Sequence, residues 1–150
     1  MVWGGINFHA RTELIIINNG ALTARRYIEE VLVEAVIPFA PFIGEQFILM
    51  QDNARPHTAR IVTEYLVQVG ITALDWPARS PDMNPIEHLW DNLGRRVRRR
   101  HPPPGDLNQL QIALREEWDA MPVEYVQNLI SSMPDRVRAL RCSRGSNTRY

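Results

Sequence analysis

Phe47-Ile-Leu-Met-Gln-Asp-Asn53 decides how this chain is read, because a short continuous apolar run delivers a carboxylate, Asp52, at its end. Consecutive apolar residues bounded by polar ones predict a strand over 47–51 buried on both faces, the habit of parallel sheets. The carboxyl ends of such strands are where open α/β sheets keep their binding crevices. A second carboxylate, Glu87, follows after the 34 residues 53–86. Asn84-Pro-Ile-Glu87 opens a predicted helix on which Ile86, Leu89, Trp90, Leu93 and Val97 recur at helical spacing. At about 100° per residue Glu87 falls on the border of that apolar face, in the first turn. Carboxylates from a strand end and a helix start are hard oxygen ligands suited to Mg²⁺ or Mn²⁺. Two such ions can clamp the attacking and leaving oxygens of a phosphodiester. The same residues admit a plainer reading. Asn84 and Glu87 stand at capping-box spacing with Pro85 at the favoured first helical position, and Asp52-Asn53 is turn chemistry.

Working outward, Met1-Val-Trp-Gly-Gly-Ile6 and Glu13-Leu-Ile-Ile-Ile17 predict two strands at hairpin spacing. Thr23 is placed to cap a helix whose face is Tyr27, Ile28, Val31, Leu32, Ala35 and Val36, ending at Pro38. After Asp52 a loop over 53–57 leads to a helix over 58–69 with Ile61, Val62, Tyr65, Leu66 and Val69 inward, stopped by Gly70. A further strand over 71–76 completes a strand-helix-strand crossover, so the class is α/β. The proline-rich loop over 77–85 aims the helix that carries Glu87. His101-Pro-Pro-Pro-Gly105 is a breaker, and Asp106 can cap a helix with Leu107, Leu110, Leu114 and Trp118 inward. Val126, Leu129, Ile130 and Met133 mark another helix, and the tail from Arg136 is basic, with Arg138, Arg141, Arg144 and Arg149.

The chain has 150 residues, 45% hydrophobic and 23% charged, which suits one globular domain. Its zero formal net charge is unevenly spread. Residues 1–94 hold 6 Arg against 11 acids, a net of −5, and residues 95–150 hold 11 Arg against 6 acids, a net of +5. There is no Lys, and Arg is the better fork for phosphate. The single cysteine, Cys142, excludes an internal disulfide and suits a reducing compartment. No apolar run approaches the ~20 residues of a membrane span, and no secretory signal is visible. A soluble intracellular protein is the expectation. The run Arg95, Arg96, Arg98, Arg99 and Arg100 can contact DNA phosphates or form a solvated helix face. His57 can approach a metal or DNA, or satisfy a helix start. Trp76, Trp90 and Trp118 are expected in the core.

Gln51-Asp-Asn-Ala-Arg-Pro-His-Thr-Ala59, Leu74-Asp-Trp-Pro77, Ser80-Pro-Asp-Met-Asn-Pro-Ile-Glu-His-Leu-Trp90 and Met1-Val-Trp-Gly-Gly5 closely resemble the catalytic domain of Tc/mariner-type DDE transposases. These motifs stand in that family's order, and the spacing of Asp52 and Glu87 matches its second and third catalytic acids. The resemblance implies an RNase H-like fold, a mixed sheet flanked by helices, shared with retroviral integrases. It implies metal-dependent DNA cleavage and strand transfer: water attacks a phosphodiester at the transposon end, and the freed 3′-hydroxyl attacks target DNA. Asp52 and Glu87 would be catalytic and metal-binding in a Mg²⁺ or Mn²⁺ two-metal site, and Arg95, Arg96, Arg98, Arg99, Arg100 and His57 would face DNA. The family's first Asp lies on a strand upstream of the segment matching Met1-Val-Trp-Gly-Gly5, so the resemblance implies a truncated chain lacking that strand and inactive alone. Asp75 and Asp82 match family positions that are not ligands. The implied organisation is a partial catalytic core over 1–100, the breaker over 101–105, and C-terminal helices with a basic tail over 106–150 packing on the core. Implied partners are transposon-end and target DNA, a second copy or an intact transposase, with no membrane and a nuclear location. The alternative is a non-catalytic DNA- or protein-binding remnant that interferes with intact transposase.

Overall fold

Alternating and helical apolar patterns become short strands and longer helices in a computed structural model that describes residues 1–77 and 80–142. Arg79, the side chain of Asp82, and the end of the basic tail with Arg144 and Arg149 lie outside the described residues. Two compact units emerge, one formed by Met1–Gly4 and Ile15–Arg79, the other by Gly5–Leu14 and Ser80–Tyr150.

In the first unit, β1 (Val2–Trp3) and β2 (Ile15–Ile16) form the expected antiparallel hairpin pair, with Val2 opposite Ile16. β3 (Ile48–Leu49) and β4 (Thr72–Ala73) pair in parallel across the expected crossover, with Ile48 opposite Thr72. Both directions of pairing are present, as two separate two-stranded ladders. The expected burial of β3 on both faces does not hold. Leu49 is 8% exposed, but Ile48 is 54% and Met50 37% exposed. Successive side chains on a strand point to opposite faces, and among the described residues only the Leu49 face meets a hydrophobic core.

Helices supply the rest of that core. Thr23 accepts the Arg26 N–H and starts α1 (Ala24–Arg26). The chain then winds through a π-helical segment (Tyr27–Val36) into α2 (Ile37–Ile43). Tyr27, Val31, Leu32 and Val36 are buried, as their spacing predicts. The expected stop at Pro38 is corrected, since the helix runs through both Pro38 and Pro41 to Gly44. The Ile37 N–H bonds to the Leu32 carbonyl, a π-type step. The donor that Pro38 lacks therefore falls where the bonding register is changing, and the exposed side of the helix there, at Val33 and Glu34, is open to water. Gly44, at φ 97°, ends the helix in a conformation that favours glycine.

The segment read as a loop over 53–57 is partly helical. α3 (Arg55–Thr58) begins with Pro56 near its start, and Ala59 is extended, separating it from α4 (Arg60–Gln68). In α4, Val62 and Leu66 are buried, whereas Ile61, expected inward, is 45% exposed. The inward stripe is centred on residues 62 and 66, which leaves the first-turn Ile61 about 100° off it. Gly70, at φ 72°, terminates α4 as expected.

The second unit is mainly helical, with α5 (Pro85–Arg98), α6 (Leu107–Asp119), α7 (Val123–Ser131) and α8 (Met133–Cys142). Leu89, Leu93 and Val97 of α5 are buried as their spacing predicts. Trp118 of α6 is fully buried, stacks on Trp90 with ring centroids 5.1 Å apart, and donates its Nε1–H to the Thr12 carbonyl at 2.9 Å. Leu107, expected inward, is 75% exposed. α5 meets α6 near residues 116–118, and Leu107 lies some ten residues, about 15 Å of helix, from that crossing. Arg11 donates to the carbonyls of Asp119 (2.5 Å) and Met121 (2.6 Å), satisfying the C-terminal end of α6.

Asp106 accepts the Gln109 N–H at 2.8 Å, as a helix N-cap should. Asp106→Ala is expected to cost about 1 kcal/mol of stability, read as a lower urea midpoint at unchanged slope. An unchanged midpoint would mean that water serves that N–H equally well.

Candidate metal site and nucleic-acid interface

Asp52 stands just past β3, where the strand has carried Leu49 into the core and released the next residues to the rim. Its carboxylate is asymmetrically held. Oδ1 accepts the Ala54 N–H at 3.1 Å, the two-residue turn that Asp-Asn chemistry predicts, and contacts His57 Nδ1 at 2.7 Å. Oδ2 has no hydrogen-bond partner among the described residues. The Asp52 side chain is 57% exposed and that of His57 14%. The turn reading and an available carboxylate oxygen therefore coexist.

Behind this pair lies Tyr27, fully buried, its ring centroid 4.3 Å from the imidazole at a 40° tilt. Burial first, and then the Asp52 charge, push the Tyr27 phenol well above its ordinary pKa. It stays protonated and donates to Gln51 Oε1 at 2.6 Å. Asn53 donates to the Trp76 carbonyl at 2.7 Å, tying the loop after β3 to the chain after β4. Sequence reasoning placed Tyr27 in the core and passed over Gln51. Neither carries a local signal, because the contact joins residues 24 apart.

Glu87 lies in the second unit, exposed in the first turn of α5. Asn84 caps that helix, its Oδ1 accepting the Ile86 N–H at 3.4 Å, while its own N–H donates to the Pro81 carbonyl at 2.9 Å. The arginine run divides. Arg96 pairs with Glu117 at 2.8 Å, and Arg100 pairs with Glu116 and, at 3.4 Å, with Glu117. These contacts fasten α5 to α6. Arg95 pairs with Asp91 one turn back at 3.0 Å. Arg98 and Arg99 are exposed. In the tail, Arg136 is 3% exposed and donates to Ser132 Oγ at 2.9 Å, so its guanidinium is part of the interior. The sequence offered no hint that Glu116 and Glu117 would engage two of the five arginines of the run, since they lie 16 to 21 residues from them.

Among the described residues no group of three or more His, Cys, Asp or Glu side chains is placed to hold one metal ion. The donor chemistry of Asp52 nevertheless fits Mg²⁺ or Mn²⁺. Such ions take one or two carboxylates and complete their shells with water and substrate phosphate, and one Asp52 oxygen is open at the rim.

A family model described as DDE superfamily endonuclease matches residues 2–111, a span that includes both Asp52 and Glu87. The chain belongs to the DDE endonuclease superfamily. Among curated relatives, the transposable element Tc1 transposase of Caenorhabditis elegans is 35% identical over 153 residues, and the Tcb2 transposase of Caenorhabditis briggsae 32% over 151. Each alignment covers 100% of this chain and 54% of the relative, so the DDE chain spans about half their length. The solved catalytic domain of Mos1 mariner transposase matches 98% of the chain, and 74% of its own, with a TM-score of 0.81 at 25% identity. The DDE chain therefore has the RNase H-like fold. The Mos1 catalytic domain has been solved with Mg and with Mn, and Mos1 also as a paired-end complex with Mn.

Proposed function

We propose that these 150 residues are the C-terminal part of a Tc/mariner-type DDE transposase, an enzyme of metal-dependent DNA cleavage and strand transfer. The observation that carries this reading is the Asp52 carboxylate, fixed through Oδ1 and open at Oδ2, inside the family-matched span. Asp52 and Glu87 are the proposed metal ligands, and Mg²⁺ or Mn²⁺ supplies phosphate charge neutralisation and an activated nucleophile. Exposed Arg98 and Arg99, with Arg95 beside them, take DNA phosphates, whereas Arg96 and Arg100 serve the packing of α5 on α6. The substrates are transposon-end and target DNA, the location is the nucleus, and a second copy or an intact transposase is the protein partner. A third carboxylate is required for cleavage, and these residues alone bind DNA without cutting it. A second reading is a non-catalytic remnant that binds DNA or an intact transposase and interferes with it.

Both readings are tested with the purified chain and a labelled duplex carrying a related transposon end, with Mn²⁺ present. The expected result is salt-dependent binding without nicking. Neutralising two phosphate-contacting arginines in Arg98→Ala/Arg99→Ala should flatten the log–log salt slope by about 2. Nicking that Glu87→Gln abolishes would overturn the inactivity of the isolated chain, and no DNA binding at low salt would overturn the first reading and the DNA-binding form of the second.

A further inference from the structure

The geometry points to His57 as a positioning residue that donates its Nδ1–H to Asp52 Oδ1 and so presents Oδ2 to a divalent metal ion. This rests on the proposed role of Asp52 as a metal ligand.

An Asx turn needs only the Ala54 N–H, and that bond is present at 3.1 Å. The second donor, His57 Nδ1 at 2.7 Å, adds nothing to the turn and falls on the same oxygen. Two donors on Oδ1 fix the rotation of the carboxylate and leave the other oxygen outward. Without them, an exposed side chain at a strand end would sample several rotamers, and a metal would have to order it on binding. Metal-ligating carboxylates are generally held this way, and loss of such a supporting bond weakens metal binding roughly 10–100-fold.

His57 can hold Asp52 because it is itself held. Its ring lies against the buried Tyr27, and Tyr27 is anchored by its hydroxyl to Gln51, the residue before Asp52. Pro56, next to His57 in α3, restricts the backbone that carries the imidazole. The brace closes on itself through Gln51, Tyr27, His57 and Asp52. Exposure falls from Asp52 to His57 to Tyr27, so the support is rigid where the ligand is accessible.

Two substitutions separate the donated hydrogen from the ring. His57→Phe keeps an aromatic ring against Tyr27 and removes the donor, whereas His57→Asn places an amide N–H near the Nδ1 position and removes the ring. Mn²⁺ is titrated into the purified chain, and free Mn²⁺ is read by electron paramagnetic resonance, with thermal melts as a check on folding. His57→Phe is expected to weaken Mn²⁺ binding by about tenfold or more, and His57→Asn to stay within about threefold of the unchanged chain. Wild-type affinity in His57→Phe, or a loss in His57→Asn as large as in His57→Phe, overturns the proposal. Near-normal binding by His57→Asn supports it even if His57→Phe fails to fold. Asp52→Asn distinguishes the two levels: Mn²⁺ binding that this change leaves untouched overturns the ligand role of Asp52, whatever His57 does.

Discussion

Asp52→Asn is expected to lower Mn²⁺ affinity by at least about 100-fold, equivalent to about 2.7 kcal/mol, while the chain stays folded. The substitution keeps the shape of the side chain and an acceptor at the Oδ1 position for the Ala54 N–H, so the turn after β3 survives. What disappears is the negative charge and the open carboxylate oxygen, and a hard divalent ion has little affinity for a neutral amide in their place. The expected change in folding stability is under about 1 kcal/mol, since only hydrogen-bond strength is altered. Calorimetric titration with Mn²⁺, paired with a urea melt, checks both halves. Unchanged affinity would remove Asp52 from any metal site.

Trp118→Ala is expected to be the most damaging single change to the second unit, at about 3–5 kcal/mol. The side chain is fully buried and stacked on Trp90, so its loss opens a cavity at the meeting of α5 and α6. It also strands the Thr12 carbonyl, which accepts the indole N–H at 2.9 Å in the interior. Trp118→Phe separates these effects, because it keeps an aromatic ring and forfeits the hydrogen bond, with an expected cost of about 1–3 kcal/mol. Equilibrium urea unfolding is the measurement, and a loss below about 1 kcal/mol in Trp118→Ala would contradict the packing described here.

Residues that act over short sequence distances are legible in the sequence. Thr23, Asp106 and Gly70 start or stop helices through bonds to residues one to four positions away, and each does what its type and place predict. The apolar stripes of α5 and the Tyr27 helix also hold. Where local signals competed with packing they misled. Pro38 reads as a stop, yet the helix absorbs it at a change of bonding register. Phe47-Ile-Leu-Met50 reads as doubly buried, yet alternation turns Ile48 and Met50 away from the core.

The sequence by itself determined the hairpin, the strand-helix-strand crossover, the family, and Asp52 and Glu87 as the candidate carboxylates, because motif spacing and capping chemistry are written in neighbouring residues, whereas the short helix Arg55–Thr58 and the helix Met133–Cys142 were not read from it. Only the tertiary structure decided that His57 turns toward Asp52, that one Asp52 oxygen is taken and the other open, and that Arg96 and Arg100 are spent on Glu116 and Glu117 while Arg98 and Arg99 face outward. It also brought Arg11 to the end of α6 across 108 and 110 residues. These outcomes depend on which of many similar side chains packing brings within hydrogen-bonding distance. A histidine or arginine has the same local preferences whether its partner is a carboxylate, a phosphate or water, so the choice is made when the helices and strands close on one another.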